Sequence, residues 1–407
     1  MTSWGTVVPT DLPQSRLRLD FGLRPAILAL NEWAVPGLGG AFFVRQLTWS
    51  CLGLLLAEEL SRPALAARIA ESIEALASWL TIRQGSHEKE DRIQGKRKLR
   101  DLKALSFAAV STGSAYVTVP FRRSATAALP GLGFCRSTQF RFNSLQLAPV
   151  GMALANAALV DDDVAKRLRK WITDPEMALK SSSNEFKRSL LPNAATSAEC
   201  QLVHDQLLAD ASRSRLIALL APYAIDLPEL QTDKGSATFL QRIEDPTQRV
   251  RLDTCFAFER VRTTALQAAQ QLAKAIKATA QPWADLARAP EVQREFAALQ
   301  RDCGALAQRL AGLVERPTGV QEFCDEQHGD VPLEARIRTL AARLPQVFTS
   351  QPAALGRGIG YTDTLVAADA IDPLESDIVP AGGAIPRPLL RLKRLHDEAL
   401  KGLAHAA

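Results

Sequence analysis

Apolar residues recur every three or four positions between Val292 and Leu313, and no other feature of the sequence constrains the fold as strongly. Alternating steps of four and three place such side chains along one face of an α-helix. The series covers about three heptads, and Pro317 follows it as a residue that cannot continue a helix. We therefore predict a helix with an apolar face formed by Phe296, Leu299, Cys303, Leu306, Leu310 and Leu313.

This apolar face has two interpretations. Packing against the preceding predicted helix, 249–280, would form an antiparallel hairpin over residues 249–316 within the chain. Gly304 and Gly312 each cost up to about 1 kcal/mol of helix stability, which favours the hairpin over an extended coiled coil. In the alternative, a coiled coil with another subunit or a second copy, the partner-binding residues would be Phe296, Leu299, Leu306, Leu310 and Leu313.

Helical signals continue through the second half of the chain, from about residue 160. Asp161 to Asp163 would interact favourably with a helix N-terminus, and Thr196-Ser197-Ala198-Glu199 fits a capping box. Only 6% of the residues are aromatic, so cores built from leucine, alanine and valine suit helices better than sheets. We predict a mainly α protein.

The first 160 residues give mixed signals. Four prolines and a glycine-rich turn predict an irregular arm over 1–40, and helices are predicted over 41–60 and 63–82, the second with Ser61 as N-cap. Alternating side chains predict strands over 115–119 and 139–147. Together these signals indicate an α+β domain.

The end of the second predicted strand carries a family resemblance. Leu147, Pro149, Gly151 and Leu154 run from a strand directly into a helix, and this segment resembles the last wing strand and helix of the winged-helix DNA-binding family, with Ala148 where threonine or serine is usual. The resemblance implies a compact module of three helices and a hairpin. It further implies a helix available to the major groove before the first strand, and a hairpin tip near the nucleic-acid backbone.

Basic residues around this module would supply phosphate contacts to DNA or RNA. The acidic Glu88, Glu90 and Asp91 lie beside them in sequence and partly neutralise them. Winged-helix modules also serve as protein–protein contacts, which leaves a partner-binding role open. The predicted nucleic-acid-binding residues are Lys96, Arg97, Lys98, Arg100, Arg122, Arg123, Arg136 and Arg141.

No catalytic, cofactor-binding or metal-binding residue is predicted. The sequence has no Gly-x-Ser-x-Gly segment, and Cys324 with His328 offers only two zinc ligands. Gly356-Arg357-Gly358-Ile359-Gly360 lacks the lysine and hydroxyl residue of a phosphate loop and indicates a flexible turn. An enzyme such as a nuclease, with its site dispersed along the sequence, remains the alternative to a non-enzymatic subunit.

Charge and cysteine usage indicate a cytoplasmic protein. The net charge is only +5 and the six cysteines are widely spaced, as expected for reduced thiols. The N-terminal residues lack the pattern of a secretory signal, and Arg45 breaks the most apolar stretch, 34–57, so no membrane association is predicted.

The predicted function is that of a nucleic-acid-binding or adaptor subunit in a bacterial multiprotein complex, with other protein subunits as partners. The order of domains resembles that of kleisin-type subunits of chromosome-organising ATPase complexes, which include plasmid and phage defence systems. The predicted segments are an irregular arm (1–40), a winged-helix-like domain (41–160), a helical domain (161–348), a loop or strap (349–385) and a C-terminal helix (386–407).

Overall fold

A computed structural model describes residues 19–85, 90–112, 116–117, 119–137, 139, 141–180, 185–276, 279–358 and 385–404. Most of these residues are helical and strands are few, which confirms the predicted mainly α class. Backbone contacts divide the chain into a smaller unit, Met1–Leu28 with Phe256–Ala384, and a larger unit, Ala29–Cys255 with Ile385–Ala407.

The first part of the chain forms helices with short strands between them. The helices are α1 (Arg24–Ala34), α2 (Val44–Glu59), α3 (Ala66–Arg83), α4 (Lys96–Leu99), α5 (Phe107–Val110), α6 (Phe121–Gly131), α7 (Pro149–Ala158), α8 (Asp162–Thr173) and α9 (Glu185–Leu190). The strands are β1 (Ala104–Ser106), β2 (Cys135–Ser137), β3 (Leu145–Leu147) and β4 (Ala178–Lys180).

The second part is also mainly helical. The helices are α10 (Ser197–Leu208), α11 (Ala211–Leu220), α12 (Asp233–Gln241), α13 (Pro246–Ala275), α14 (Trp283–Arg288), α15 (Pro290–Ala311), α16 (Val320–Gln327), α17 (Leu333–Ala342) and α18 (Arg387–Ala404). The strands are β5 (Gln281–Pro282), β6 (Phe348–Ser350) and β7 (Ala354–Arg357).

Strand pairing is antiparallel and short in each case. In the larger unit, β1 pairs with β4 through Leu105 and Leu179, and β2 pairs with β3 through Arg136 and Gln146. In the smaller unit, β7 lies between β5 and β6. The sheets therefore join helices locally and do not form an extended layer.

Helix ends follow several of the predicted local signals. The side chain of Asp161 accepts a hydrogen bond from the backbone N–H of Asp163 at the start of α8. Thr196 and Glu199 form the reciprocal capping box at the start of α10. The helices predicted over 41–60 and 386–407 are present as α2 and α18. Helix α2 is buried on all sides from Val44 to Ala57, whereas α18 buries one apolar face.

Ser61 does not cap α3. Its backbone has a positive φ of 54°, and a 3₁₀ turn over Pro63–Leu65 precedes the helix. The side-chain oxygen of Asn143 instead accepts the N–H of Ala67, at 2.8 Å. A residue distant in sequence thus replaces the predicted local cap.

Three predicted irregular or strand segments differ from the structure. The arm is not irregular throughout, because α1 forms within it and Pro25 is tolerated in a first helical turn. Phe142–Ser144 form a 3₁₀ helix, so β3 is the only strand among the described residues of the span 139–147. Tyr116 and Val117 are not in a strand, and Ala115 and Thr118 lie outside the described residues.

The predicted strap begins as a hairpin. Strands β6 and β7 pair within it, and Arg357 lies opposite Phe348, so the flexible turn predicted from residue 356 is wrong for its first two residues. Residues 359–384 lie outside the described residues.

The periodic face of α15 is packed inside the smaller unit. Phe296, Leu299, Leu306 and Leu310 have no exposed surface, and α15 contacts α14, α16 and α17. Leu313, just beyond the helix, is partly exposed. These side chains therefore contribute to the core of a single chain.

Candidate nucleic-acid interface

Helix α3 organises the region that carries the predicted basic residues. It packs against α2, α4 and α6 in the larger unit, and its 18 residues make it about 27 Å long. Contacts along its length position α4, the start of α6 and the β2–β3 connection in turn. The basic residues are thereby arranged along one helix rather than gathered at one point.

The C-terminal half of α3 positions α4. The indole N–H of Trp79 donates to the carbonyl of Leu102 at 2.8 Å, and the N–H of Gln94 donates to the hydroxyl of Ser78 at 3.3 Å. Gly95 precedes α4 with a positive φ of 68°, and a side chain there would overlap the ring of Tyr116. With Leu99 buried, α4 turns its lysines and arginines outward.

The middle of α3 holds the start of α6. The buried carboxylate of Glu74 accepts the N–H of Phe121 at 3.0 Å and that of Arg122 at 3.3 Å. The hydroxyl of Tyr116 contacts Ser78 at 3.0 Å and hydrogen-bonds Glu74. Burial raises the pKa of Glu74 to about 8, against the hydrogen bonds from these backbone groups, which lower it.

The N-terminal end of α3 anchors the β2–β3 connection. Besides accepting from Ala67, Asn143 donates to the carbonyl of Ala64 at 2.9 Å. Phe142 is buried beneath the guanidinium of Arg122, 5.5 Å from the ring centre. Phe142 and Asn143 therefore hold the described part of the β2–β3 connection against the helices.

The structure gives a physical reason for two residues of the winged-helix resemblance, Gly151 and Pro149. Gly151 lies in α7 directly against the backbone of Phe134, and a side chain at this position would overlap the carbonyl oxygen of Phe134. Pro149 occupies the first turn of the same helix, where its missing N–H has no cost. Both roles are those expected of these residue types.

Six of the eight predicted nucleic-acid-binding residues are exposed: Arg97, Lys98, Arg100, Arg123, Arg136 and Arg141. Lys96 and Arg122 are half-buried. The guanidinium of Arg122 forms an ion pair with Glu71, and this pairing reduces its availability to a phosphate. The structure thus distributes the basic residues over the elements that pack along α3.

Replacement of Asn143 with alanine tests the anchoring of the hairpin. Loss of a helix cap costs about 1 kcal/mol, so we expect N143A to lower the free energy of unfolding by about that amount. Chemical denaturation followed by tryptophan fluorescence measures the change. Asn156, an exposed asparagine of α7, is the control, because its replacement should be neutral or slightly stabilising. Equal effects of the two substitutions would contradict the anchoring role.

Cys324 and His328, the two possible zinc ligands of the sequence, both lie against α15. Cys324 hydrogen-bonds Cys303, and the ring of His328 lies against Gly304. In the part of the chain that the structure describes, no group of three or more histidine, cysteine or acidic side chains could hold a metal ion. All six cysteines are buried, and none forms a disulfide. Among the described helices, none has the length and apolarity needed to cross a bilayer.

The sequence did not predict the roles of Glu74, Tyr116 and Asn143, which hold the neighbouring elements against α3. Glu74 lies among apolar neighbours in α3, and a lone acid on an apolar helix face is the one available signal for its buried role. Tyr116 and Asn143 gave no signal, because their partners lie 38 and 76 residues away.

Comparisons with protein-family models, curated protein sequences and solved structures found no match to this chain.

Proposed function

We propose that this chain is a non-enzymatic nucleic-acid-binding subunit of a bacterial multiprotein complex. The observation that carries the proposal is the exposure of six predicted basic side chains around α3 and α6. Helices α2, α3 and α6 precede the β2–β3 hairpin, with the short elements α4, β1 and α5 between α3 and α6. Three helices followed by a hairpin are the elements of a winged-helix module. The segment 147–154 adds the local resemblance.

Double-stranded DNA bound without sequence preference is the ligand that this surface fits best. Base recognition requires side chains such as asparagine, glutamine or arginine along the helix that enters the major groove. The exposed face of α6 offers Arg123 and Ala127, and the N–H of Gly40 covers a neighbouring part by donating to the carbonyl of Ser124, at 2.9 Å. Phosphate contacts would therefore dominate, and these carry no sequence information.

Reversing the charges of Lys96, Arg97 and Lys98 to glutamate tests the proposal. Each phosphate contact contributes about 0.9 to the slope of log affinity against log salt. We expect the triple variant to bind duplex DNA at least about 100-fold more weakly at low salt, with a slope smaller by about three. Fluorescence anisotropy with a labelled duplex over a range of salt concentrations measures both quantities.

The matched control reverses three exposed arginines of the smaller unit, Arg288, Arg294 and Arg301. Their side chains are 78%, 69% and 74% exposed, and the change in net charge is identical. We expect this variant to lose less than a tenth as much affinity. Equal losses would indicate a general charge effect, and no binding of the wild-type protein to DNA at low salt would overturn the proposal.

Incubation of the same duplex with Mg²⁺ or Mn²⁺ distinguishes the nuclease alternative. We expect intact DNA after prolonged incubation. Metal-dependent degradation that persists through purification would instead favour the enzyme, and would show that binding leads to chemistry.

A further inference from the structure

A cavity of about 470 Å³ lies in the larger unit. Its walls come from the start of α2, from residues 90–92, from the connection after α11 and from α18. The volume is within the usual range for small-molecule sites, about 300 to 1,000 Å³. Phe42 and Ile225 contribute an apolar wall, whereas most of the remaining lining is charged.

The charges of the cavity form two groups with the same composition. At the base, Arg92 lies between Glu90, at 2.7 Å, and Glu398, at 3.3 Å. At the rim, Arg394 lies between Asp91, at 3.1 Å, and Asp226, at 2.8 Å. Each arginine is therefore shared by two carboxylates, and each group carries one excess negative charge when its acids are ionised.

The two groups differ in burial. The side chains of Asp91 and Asp226 are 63% and 68% exposed, whereas that of Glu398 is 22% exposed. Glu398 also accepts the N–H of Val44 at 3.2 Å. Burial raises its pKa to about 7. The base of the cavity thus holds an acid that a second cation would stabilise in its ionised form.

Other charged groups lie near the cavity, and Lys96 acts electrostatically on Glu90 at its base. Asp397 forms an ion pair with Lys393 at 2.9 Å, which makes that pair neutral. Lys401 is exposed and adds one positive charge at the opening. An anionic ligand would have to displace carboxylates from both arginines, whereas a cationic ligand would complete both groups.

From this arrangement we propose that the cavity binds an aliphatic polyamine. One ammonium group would contact Glu398 at the base and a second would contact Asp91 and Asp226 at the rim. The alkyl chain would lie along Phe42, whose ring sits at 4.8 Å from that of Phe43. An ammonium group near an aromatic face gains further attraction. This inference is independent of DNA binding.

Isothermal titration calorimetry with spermidine and putrescine tests the proposal. Hydrogen bonds to a charged group contribute about 1.5 to 3 kcal/mol, so we expect Glu398→Gln and Asp226→Asn each to weaken binding by about tenfold or more. Lys401→Ala should strengthen it. At pH 7 the wild-type protein should release part of a proton on binding, and Glu398→Gln should release none.

Matched controls make the outcome decisive. Glu322→Gln removes one carboxylate that is 75% exposed in the smaller unit and should leave binding unchanged. The uncharged diol of the same chain length as putrescine, and Mg²⁺ at equal concentration, should give no comparable heat. Absence of spermidine binding by the wild-type protein, or equal effects of Glu398→Gln and Glu322→Gln in folded protein, would overturn the proposal.

Discussion

Replacement of Glu199 with alanine is expected to lower the free energy of unfolding of the larger unit by about 3 to 5 kcal/mol. Glu199 and Arg45 form an ion pair of 3.0 Å in which neither side chain has any exposed surface. Removing the carboxylate leaves a buried guanidinium without its counter-charge. Burial lowers the pKa of Arg45, because the charged guanidinium has lost its hydration.

The size of this effect follows from the number of elements that the pair connects. Arg45 lies in α2 and donates to the carbonyls of Arg188 and Ser189 in α9, and to that of Ala194 in the connection to α10. Glu199 accepts the hydroxyl of Thr48 at 2.8 Å. Loss of the carboxylate therefore affects both the ion pair and the cap of α10.

An exposed ion pair provides the control for this prediction. Glu59 and Arg169 are in contact at 2.8 Å, with side chains 33% and 37% exposed. Because exposed pairs contribute less than about 1 kcal/mol, Glu59→Ala should have a small effect in the same denaturation experiment. A cost below about 1 kcal/mol for Glu199→Ala would show that the buried pair is not needed.

A double-mutant cycle separates the pair from its other contacts. The double variant Arg45→Met with Glu199→Gln removes both charges together. We expect its cost to be smaller than the sum of the single costs by about 0.5 to 3 kcal/mol, the range for groups in contact. Additive costs would contradict a direct coupling between the two residues.

Local sequence signals predicted the capping box at the start of α10 but not the ion pair between Arg45 and Glu199. The capping box of Thr196 and Glu199 depends on residues three positions apart, so the sequence contains the whole motif. Arg45 was recognised as a charge within an apolar stretch, but its partner lies over 150 residues away. Nothing in a single sequence specifies which distant acid meets a buried base.

The candidate interface and α1 likewise separate features that depend on neighbouring residues from features that depend on tertiary packing. Exposure of the basic residues follows from their local composition, and six of eight are exposed. The anchoring of the hairpin by Asn143 depends on tertiary packing and could not be predicted. Helix α1 was missed because Pro25 was interpreted as a helix breaker, although the first helical turn accepts proline.

The stability of the larger unit should fall as pH rises from 7 to 8, because of Glu74. Burial raises its pKa in the folded protein to about 8, from the ordinary glutamate value of 4.5. Between these values the folded state binds more protons than the unfolded state, so the free energy of unfolding decreases with pH. The stabilisation is complete below about pH 4 and is lost above about pH 8, a total of at most about 5 kcal/mol.

Other titrating groups define the pH window of the measurement. Glu398 acts in the same direction up to its pKa of about 7. The pKa of His396 is lowered by burial, so this residue reduces stability only as the pH falls. Burial raises the pKa of Cys200 to about 11, and its effect begins above about pH 8.5, where the unfolded thiol ionises. The interval from pH 7 to 8 therefore reports mainly on Glu74.

Replacement of Glu74 with glutamine should remove this pH dependence. The amide oxygen can still accept the N–H of Phe121, and the side chain no longer ionises. We expect a slope of about 1 kcal/mol per pH unit in the wild-type protein and a nearly flat profile in the variant, measured by chemical denaturation at closely spaced pH values. Glu398→Gln should keep the slope between pH 7.5 and 8, which is about where its own contribution ends. If Glu74→Gln retains the wild-type slope, the carboxyl group is ionised in the folded protein, and the hydrogen bonds from the start of α6 outweigh its burial.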